Sequence, residues 1–341
     1  MLLYSCPMII NQYLNFNGRI DTGDEVLTLC CESLPRKNAW RPGVSMAGEP
    51  VEVLERFLGM RNMVITSSLK EGDRAKTITK DSWLGCKHCA NYQKGDWQPQ
   101  LQINYVNLSM YPAPCQCKCS YCGVYRKWED TQTVKDAYEK LFAVLDMANE
   151  RGIISANASW QISTGEITIH PYRKRIYELT KGKSAVFYTN GFIYDENIGR
   201  NLAENPSSAI NVSIDAGTPE TWAAVKGADN FEDVCMNLAE YRKNALQPRQ
   251  ISLKYIILPG INDSEQDYLS LMDIMDALET PHLTISRDVR EKYTGNNKGH
   301  AKLINAASRL AAHRRQKGIT VDMFTYQPQE REAITARAAQ L

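Results

Sequence analysis

The sequence predicts an α/β protein: a partial (β/α)6 barrel of the TIM type, with a small N-terminal irregular α+β metal-binding module. Three observations lead to this fold. From about residue 102 onward, short β-rich apolar runs alternate with stretches of helical period, which is typical of parallel strands joined by helices. Before residue 99 long periodic segments are scarce. Nine of the ten cysteines lie within the first 122 residues, which predicts metal sites in that part of the chain.

Each strand is predicted from a short run rich in β-branched and aromatic residues, and each helix from apolar residues that recur every three or four positions. The predicted strands are 102–110, 159–163, 184–188, 209–214, 251–258 and 282–286, with a further edge strand at 319–324. The predicted helices are 133–151, 172–179, 197–203, 231–244, 264–278 and 301–316. The predicted domains are an N-terminal module at 1–98, a barrel at 99–325 and a C-terminal tail at 326–341.

Composition and charge exclude several classes of protein. The chain of 341 residues is 43% hydrophobic and 23% charged, which is close to the globular average rather than that of a coiled coil or a disordered chain. Its 40 basic and 39 acidic residues leave a formal net charge of +1, so a nucleic-acid partner is not expected. No signal peptide and no run of about 18 apolar residues is present, which predicts a cytoplasmic protein without a membrane partner.

Clustered thiols in a reducing compartment more often hold a metal than form disulfides. Cys115, Cys119 and Cys122 follow the first predicted barrel strand with the spacing CxxxCxxC. Three thiolates on one loop can hold a cubane iron-sulfur cluster and leave its fourth iron open to another ligand. A structural zinc site is the alternative, although zinc usually takes four closed ligands presented as paired CxxC knuckles.

The loop at 115–122 resembles the cluster loop of the radical S-adenosylmethionine (SAM) enzymes. The resemblance implies that Cys115, Cys119 and Cys122 ligate a [4Fe-4S] cluster and that SAM chelates the open iron. Reductive cleavage of SAM then yields a 5′-deoxyadenosyl radical, which abstracts hydrogen from a substrate. It also implies that Tyr121 lies near the adenine of SAM and that Cys117 is not a ligand of this cluster.

The ends of the later strands resemble the same family. Ser163-Thr164-Gly165-Glu166 is similar to the Gly-Gly-Glu segment that meets the amino group of SAM, although Thr164 replaces the first glycine. Ser213 and Asp215 are expected on one face of the fourth strand, where they suit the ribose hydroxyls or the methionyl group. By this resemblance the SAM-binding residues are Tyr121, Gly165, Glu166, Asn190, Ser213, Asp215, Lys254 and Gly260.

A second group of cysteines lies in the N-terminal module. Cys86 and Cys89 form a CxxC knuckle, and a predicted hairpin at 15–31 delivers Cys30 and Cys31. Together with Cys6 they offer four thiolates, one of Cys30 and Cys31 being spare, and four thiolates bind zinc as readily as an iron-sulfur cluster. The module resembles the SPASM or twitch modules of radical SAM enzymes, which implies a second [4Fe-4S] cluster, although those modules usually follow the barrel.

The resemblance implies a radical SAM enzyme that acts on a peptide or peptide-like substrate by epimerisation, oxidation or cross-linking. The alternative within the family is a dehydrogenase or epimerase of a sugar or aminocyclitol. The alternative from another class is a non-catalytic zinc-binding or nucleic-acid-binding protein. Cys117 and Cys235 are the predicted hydrogen donors to a substrate radical, and the expected partners are SAM, the peptide or small-molecule substrate, and an electron donor such as flavodoxin or ferredoxin.

Overall fold

The computed structural model divides the chain into two compact units. The first unit comprises Met1–Ala113 and Tyr125–Gly165, and the second comprises Pro114–Val124 and Glu166–Leu341. Each is described below by itself. The structure describes residues 3–5, 13–19, 26–29, 43–68, 93–95, 102–111, 113–122, 130–288, 290–291, 298–316, 320–323 and 325–341.

The first unit contains a five-stranded sheet in the order β7-β6-β2-β3-β4, and a separate antiparallel pair, β1 and β5. β2 and β6 run parallel, as do β6 and β7, whereas β2, β3 and β4 are connected antiparallel. The strands are β1 (Leu3–Ser5), β2 (Tyr13–Arg19), β3 (Val26–Thr28), β4 (Gly43–Ser45), β5 (Gln93–Gly95), β6 (Ile103–Tyr111) and β7 (Ile154–Ile162).

Two helices of nineteen residues, α1 (Pro50–Ser68) and α2 (Gln132–Glu150), pack together in this unit. α2 begins after Thr131, whose hydroxyl accepts a hydrogen bond from the amide of Val134 and so satisfies a donor at the helix start. α1 begins with a proline, which is well tolerated in the first helical turn. Among the α1 residues whose side chains are described, the buried ones recur at helical spacing and are Val53, Leu54, Phe57, Met60 and Arg61.

The second unit contains five parallel strands in the order β12-β11-β10-β9-β8. They are β8 (Ala185–Thr189), β9 (Ala209–Ser213), β10 (Ile251–Ile257), β11 (His282–Arg287) and β12 (Thr320–Asp322). The helices between and after them are α3 (Arg173–Thr180), α4 (Glu196–Glu204), α5 (Pro219–Lys226), α6 (Phe231–Asn244), α7 (Glu265–Ala277), α8 (Lys298–Gln316) and α9 (Pro328–Ala338).

The two faces of this parallel sheet differ in polarity. In β9, Ile210 and Val212 are fully buried, while Asn211 and Ser213, which alternate with them, are half-buried. Lys254 of β10 lies beside Ser213 in register and is also half-buried. Side chains alternate along a strand, so one face of the sheet packs against apolar residues and the other carries polar groups. The polar face and the strand ends are where the candidate site is found.

This α/β architecture confirms the predicted fold class, and the predicted helices and strands from residue 102 onward agree with it to within a few residues, except that β7 begins five residues earlier than predicted. The predicted hairpin is present, because β2 pairs antiparallel with β3. Three helices were not predicted: α1, in a segment expected to hold only short strands and loops, α5, and α9, in the predicted tail. In the described part of the chain no helix is long and apolar enough to cross a membrane.

Candidate active site

The loop at residues 115–122, called the cysteine loop below, is held by the end of helix α5. The amide of Lys118 donates to the carbonyl of Lys226 at 2.8 Å, and that of Ser120 donates to the carbonyl of Val225 at 3.0 Å. Carbonyls in the last turn of a helix have no partner within the helix, so the loop satisfies them. Gly227 ends the helix with a φ of 65°, and a Cβ there would lie 3.0 Å from Cβ of Lys118.

Two buried side chains, Lys226 and Asp215, and the half-buried Tyr121 connect this loop to the end of β9. The ammonium of Lys226 lies 2.5 Å from Oδ2 of Asp215 and donates to the Tyr121 hydroxyl at 2.8 Å. The Tyr121 hydroxyl donates to the same carboxylate oxygen at 2.5 Å. Oδ1 of Asp215 accepts from the amide of Ile256 at 2.6 Å. The side chains of Lys226 and Asp215 are 2% and 0% exposed, so both charges are compensated inside the protein.

Glu166 accepts hydrogen bonds from residues at the end of β8. Its Oε1 accepts from the amide and hydroxyl of Thr168 and from the hydroxyl of Thr189, and its Oε2 accepts from the amide of Asn190 at 2.6 Å. Burial raises the pKa of this carboxyl, and the four donors oppose that rise. Glu166 thus ties the turn after Gly165, whose φ is 50°, to the end of β8.

Asn190 connects Glu166 with the cysteine loop. Its side-chain Nδ2 lies 3.4 Å from Sγ of Cys117 and 3.8 Å from Sγ of Cys115, within donating range of both sulfurs. Its Oδ1 accepts from the amide of Phe192 at 3.0 Å, which fixes the orientation of the amide group. The end of β8 therefore presents a hydrogen-bond donor to the sulfurs of the loop.

The thiols of the loop interact strongly with one another. The pKa of Cys119 is lowered to about 6, chiefly by a hydrogen bond from Cys117 and also by the nearby charge of Lys226, although burial opposes both. The pKa of Cys115 is lowered, again chiefly by a hydrogen bond from Cys117. The pKa of Cys117 is raised by its hydrogen bonds with Cys115 and Cys119 and by its burial. Cys115 and Cys119 therefore favour the thiolate form that binds metals.

Lys254 is the basic group on the polar face of the sheet. Burial lowers the pKa of its ammonium, Asp215 opposes this effect and Lys226 adds to it. Lys254 is in register with Ser213 of β9 and Thr284 of β11. The backbone carbonyl of Lys254 accepts from the amide of Ile214 at 3.0 Å. A cation on the polar face can bind an anionic group, and the family resemblance implied that Lys254 contacts SAM.

The structure brings together part of the predicted set. Tyr121, Asp215, Glu166 and Asn190 belong to one hydrogen-bonded group with the cysteine loop or the strand ends beside it, as described above. Gly260, with a φ of 86°, lies in the turn after β10. Cys235 lies on α6, half-buried, and burial raises the pKa of its thiol to about 11. The role of Cys235 as a hydrogen donor stays a prediction.

One detail of the prediction was wrong. Ser213 and Asp215 do not share a strand face, because β9 ends at Ser213 and Asp215 has a φ of 51°, outside the extended range. Both oxygens of Glu166 accept hydrogen bonds from Thr168, Thr189 and Asn190, and its contact with the amino group of SAM stays a prediction. The predicted auxiliary ligands lie outside the described residues; they are Cys6, Cys30, Cys31, Cys86 and Cys89.

Sequence reasoning missed Lys226 and Arg290. The guanidinium of Arg290 donates to the carbonyl of Ser120 at 3.0 Å and pairs with Asp288 at 2.7 Å, so it holds the loop from the end of β11. The sequence does carry signals for helix α5, which ends at Lys226, because Thr218 and Pro219 mark its start and Gly227 marks its end. These signals do not reveal that the side chain of Lys226 is buried.

The donor set of the loop fits an iron-sulfur cluster. Cys115, Cys119 and Cys122 are not joined in disulfides, and a buried cation lies near them. Among the described residues no three His, Cys, Asp or Glu side chains surround a single point as the ligands of one metal ion do. Thiolates of a cubane each bind a different iron, so they lie around the cluster rather than converging on one ion. Three loop thiolates suit a cubane, which takes one thiolate per iron, better than a structural zinc site, which takes four closed ligands.

A parallel α/β fold with a CxxxCxxC loop beside its strand ends defines a protein of the iron-sulfur class. Residues 114–272 match the family model described as the Radical SAM superfamily. This part of the chain therefore belongs to the radical SAM superfamily, whose cofactors are a [4Fe-4S] cluster and SAM.

Curated relatives and solved structures were also compared with the chain. It is 23% identical over 188 residues to a GTP 3′,8-cyclase of Nautilia profundicola, covering 54% of this chain and 56% of the relative. It is 27% identical over 170 residues to a GTP 3′,8-cyclase of Chlorobaculum tepidum, covering 48% of each. The chain thus spans about half the length of the curated relatives it matches. Streptococcus suis SuiB bound to S-adenosylmethionine is similar with a TM-score of 0.49 and 14% identity, over 83% of this chain and 63% of that one.

Proposed function

We propose that this protein is a radical SAM enzyme whose [4Fe-4S] cluster is held by Cys115, Cys119 and Cys122. When bound, the cluster supplies the electron that cleaves SAM to a 5′-deoxyadenosyl radical, which abstracts hydrogen from the substrate. The observation that carries this proposal is the cysteine loop itself, clamped by α5 and provided with a donor from Asn190, inside the segment that matches the superfamily.

The residues around the loop have separate tasks in this function. Asn190 donates to sulfur and so stabilises the thiolate form of the loop. The hydroxyl of Tyr121 is held by Lys226 and Asp215, and its ring is proposed to contact the adenine of SAM. The turn at Gly165 has a left-handed conformation that suits a close approach of the backbone to a ligand.

The methionyl and ribose groups of SAM are proposed to contact the polar face of the sheet. Lys254 carries a half-buried ammonium there and would pair with the carboxylate of SAM. Ser213 lies next to it in register and offers a hydroxyl. Gly260 lies in the turn after the same strand. Asp215 acts indirectly, because its oxygens already bind Tyr121, Lys226 and the amide of Ile256.

The substrate proposed is a peptide or peptide-like molecule, and the cysteines of the N-terminal module are proposed to hold a second [4Fe-4S] cluster. A small anionic molecule is the second candidate, because the curated relatives are named for a reaction of GTP. Flavodoxin or ferredoxin is the proposed electron donor.

The cluster assignment is tested by a comparison of variants. The wild type, the triple variant Cys115→Ala, Cys119→Ala, Cys122→Ala, and the control Cys235→Ala are reconstituted anaerobically with iron and sulfide. The triple variant should lose about four irons and all 5′-deoxyadenosine formed from SAM and dithionite, whereas the control should keep both. A triple variant that keeps all its iron, or a colourless wild type that binds zinc and forms no product, would refute the proposal.

The substrate class is tested by following the hydrogen that is abstracted. The reconstituted enzyme is incubated with SAM and dithionite, and with either a tryptic digest of uniformly deuterated cell protein or uniformly deuterated GTP. Deuterium in the 5′-deoxyadenosine identifies the compound that loses hydrogen. Label from the peptides supports the first candidate, label from GTP supports the second, and turnover without label from either contradicts both.

A further inference from the structure

Lys226 contacts the cysteine loop on both sides of Cys119. Its backbone carbonyl holds the amide of Lys118, one residue before Cys119. Its side chain binds the hydroxyl of Tyr121, two residues after Cys119, and lies 5.2 Å from the centre of the Tyr121 ring. A single residue therefore fixes the chain on either side of a proposed cluster ligand and places a full positive charge beside it.

The charges of Lys226 and Asp215 sum to zero, but a second donor partly offsets the field of the carboxylate. The amide of Ile256 donates to the other oxygen of Asp215 at 2.6 Å. The ring of Trp222 lies 5.5 Å from the ammonium on another side and contributes no charge. Water cannot screen the ammonium, since the side chain is 2% exposed. A buried cation at this position favours the form of a neighbouring group that carries more negative charge.

We propose that Lys226 is a positioning residue that raises the reduction potential of the cluster held by the cysteine loop, by placing a buried cation beside Cys119. The inference rests on the proposed function, because it requires that a cluster be bound there. Reduction adds one electron to the cluster, and the fixed ammonium stabilises the extra negative charge. The hydrogen bonds of Lys226 to the loop act through the position of the loop, whereas its ammonium acts through charge, so the two roles can be separated.

Asp215 provides the matched opposite change. Asn keeps the size of Asp, still accepts from the amide of Ile256, and tolerates the φ of 51° found at this position. Asp215→Asn removes a negative charge while Lys226→Met removes a positive one. The double variant removes both. An electrostatic role therefore predicts shifts of opposite sign in the two single variants, whereas a purely mechanical role predicts the same direction for both.

The test is a redox titration of the reconstituted proteins, without SAM or substrate, followed by electron paramagnetic resonance of the reduced cluster. At a fixed poised potential, Lys226→Met should lower the ratio of reduced to oxidised cluster about tenfold, which corresponds to about 59 mV for one electron. Asp215→Asn should raise this ratio, and the double variant should lie between the two.

The inference and the proposed function fail in different ways. A wild type that binds no cluster refutes the proposed function, and the inference with it. Cluster-loaded variants whose potentials shift in one common direction, or do not shift, refute only the role of Lys226. Should Lys226→Met fail to bind iron, the comparison of wild type, Asp215→Asn and the double variant decides: a rise in Asp215→Asn that the double variant reverses supports the inference, and the absence of that pattern overturns it.

Discussion

The backbone of Gly217 lies against that of Asp267. A Cβ on Gly217 would lie 1.9 Å from the carbonyl oxygen of Asp267, and the Asp267 carboxylate accepts from the amides of Gly217 at 2.9 Å and Thr218 at 3.1 Å. The turn after β9 is therefore fastened to the first turn of α7. This contact determines where the chain goes after Asp215, two residues before the glycine, and so supports the site.

The first prediction concerns this contact. Gly217→Ala should destabilise the protein by about 3 kcal/mol, at the upper end of the range for overpacking, because the obstacle is backbone that cannot turn aside. The measurement is urea unfolding of the apoprotein, followed by circular dichroism. Gly59→Ala is the control, since this exposed position in α1 has nothing within 4 Å of the added Cβ. The control variant should be more stable than the wild type by up to about 1 kcal/mol. Equal effects of the two changes would contradict the predicted clash at Gly217.

The second prediction concerns His170, which is fully buried. Its Nδ1 accepts from the amide of Tyr172 at 3.2 Å, so the folded protein holds a neutral ring. Burial, aided by the charge of Arg173, lowers the pKa of His170 to about 4. The unfolded chain binds the proton near pH 6.5 and the folded chain only near pH 4. The contribution of His170 to stability is therefore fully present above pH 6.5 and is lost as the pH falls.

Between pH 6.5 and 5 this loss should amount to about 2 kcal/mol in the free energy of unfolding. His170→Gln keeps an acceptor for the Tyr172 amide but does not titrate, so its unfolding free energy should change less over the same interval. Urea unfolding at a series of pH values gives both slopes. Parallel slopes in wild type and variant would show that the ring is already protonated in the folded state or exposed to solvent.

Most of the barrel strands could be predicted because the pattern that marks a strand involves only neighbouring residues. In β9 and β10, apolar and polar residues alternate, and this pattern is visible without the fold. Helix α1 carries signals of the same kind, with Pro50 in the first turn and Val53, Leu54 and Phe57 on one face. It was missed because the polar residues around it were interpreted as loops.

The network around Lys226 was out of reach of such reasoning. A basic residue in the last turn of a helix normally lies in solvent and complements the helix dipole. Here its direction depends on Asp215, whose left-handed backbone follows from the contact of Gly217 with α7, fifty residues further along. Long-range contacts of this kind leave no periodic pattern in the sequence. The cysteine spacing, by contrast, is set by the cluster chemistry and could be interpreted directly.

The third prediction concerns Glu166, both of whose oxygens accept hydrogen bonds. Glu166→Gln replaces one oxygen with an NH2 group that faces a donor, either the amide of Asn190 or the donors of Thr168 and Thr189. A buried donor left without an acceptor costs about 1–3 kcal/mol, so the variant should unfold at lower urea concentration. The affinity for SAM, measured by equilibrium dialysis, should fall as well because the end of β8 is released. Glu178→Gln, an exposed change on α3, is the control and should alter neither quantity.

The fourth prediction separates hydrogen bonding from charge at Asn190. Asn190→Ala removes the donor to the sulfurs of Cys115 and Cys117, whereas Asn190→Asp also places a carboxylate beside them. A negative charge next to thiolates disfavours both the thiolate form and the anionic cluster. The iron released to a chelator should therefore increase in Asn190→Ala and increase further in Asn190→Asp.

Asn197→Asp is the control for this series, because that exposed amide lies at the start of α4 and donates to Asp195. It should release iron at the wild-type rate. Equal rates of iron release in Asn190→Ala and Asn190→Asp would mean that a charge at the end of β8 does not affect the cluster. Wild-type rates in both variants would show that Asn190 does not contact the cluster ligands. The predicted order, in which aspartate is worse than alanine, follows only if the Asn190 side chain faces the sulfurs in the loaded protein as it does here.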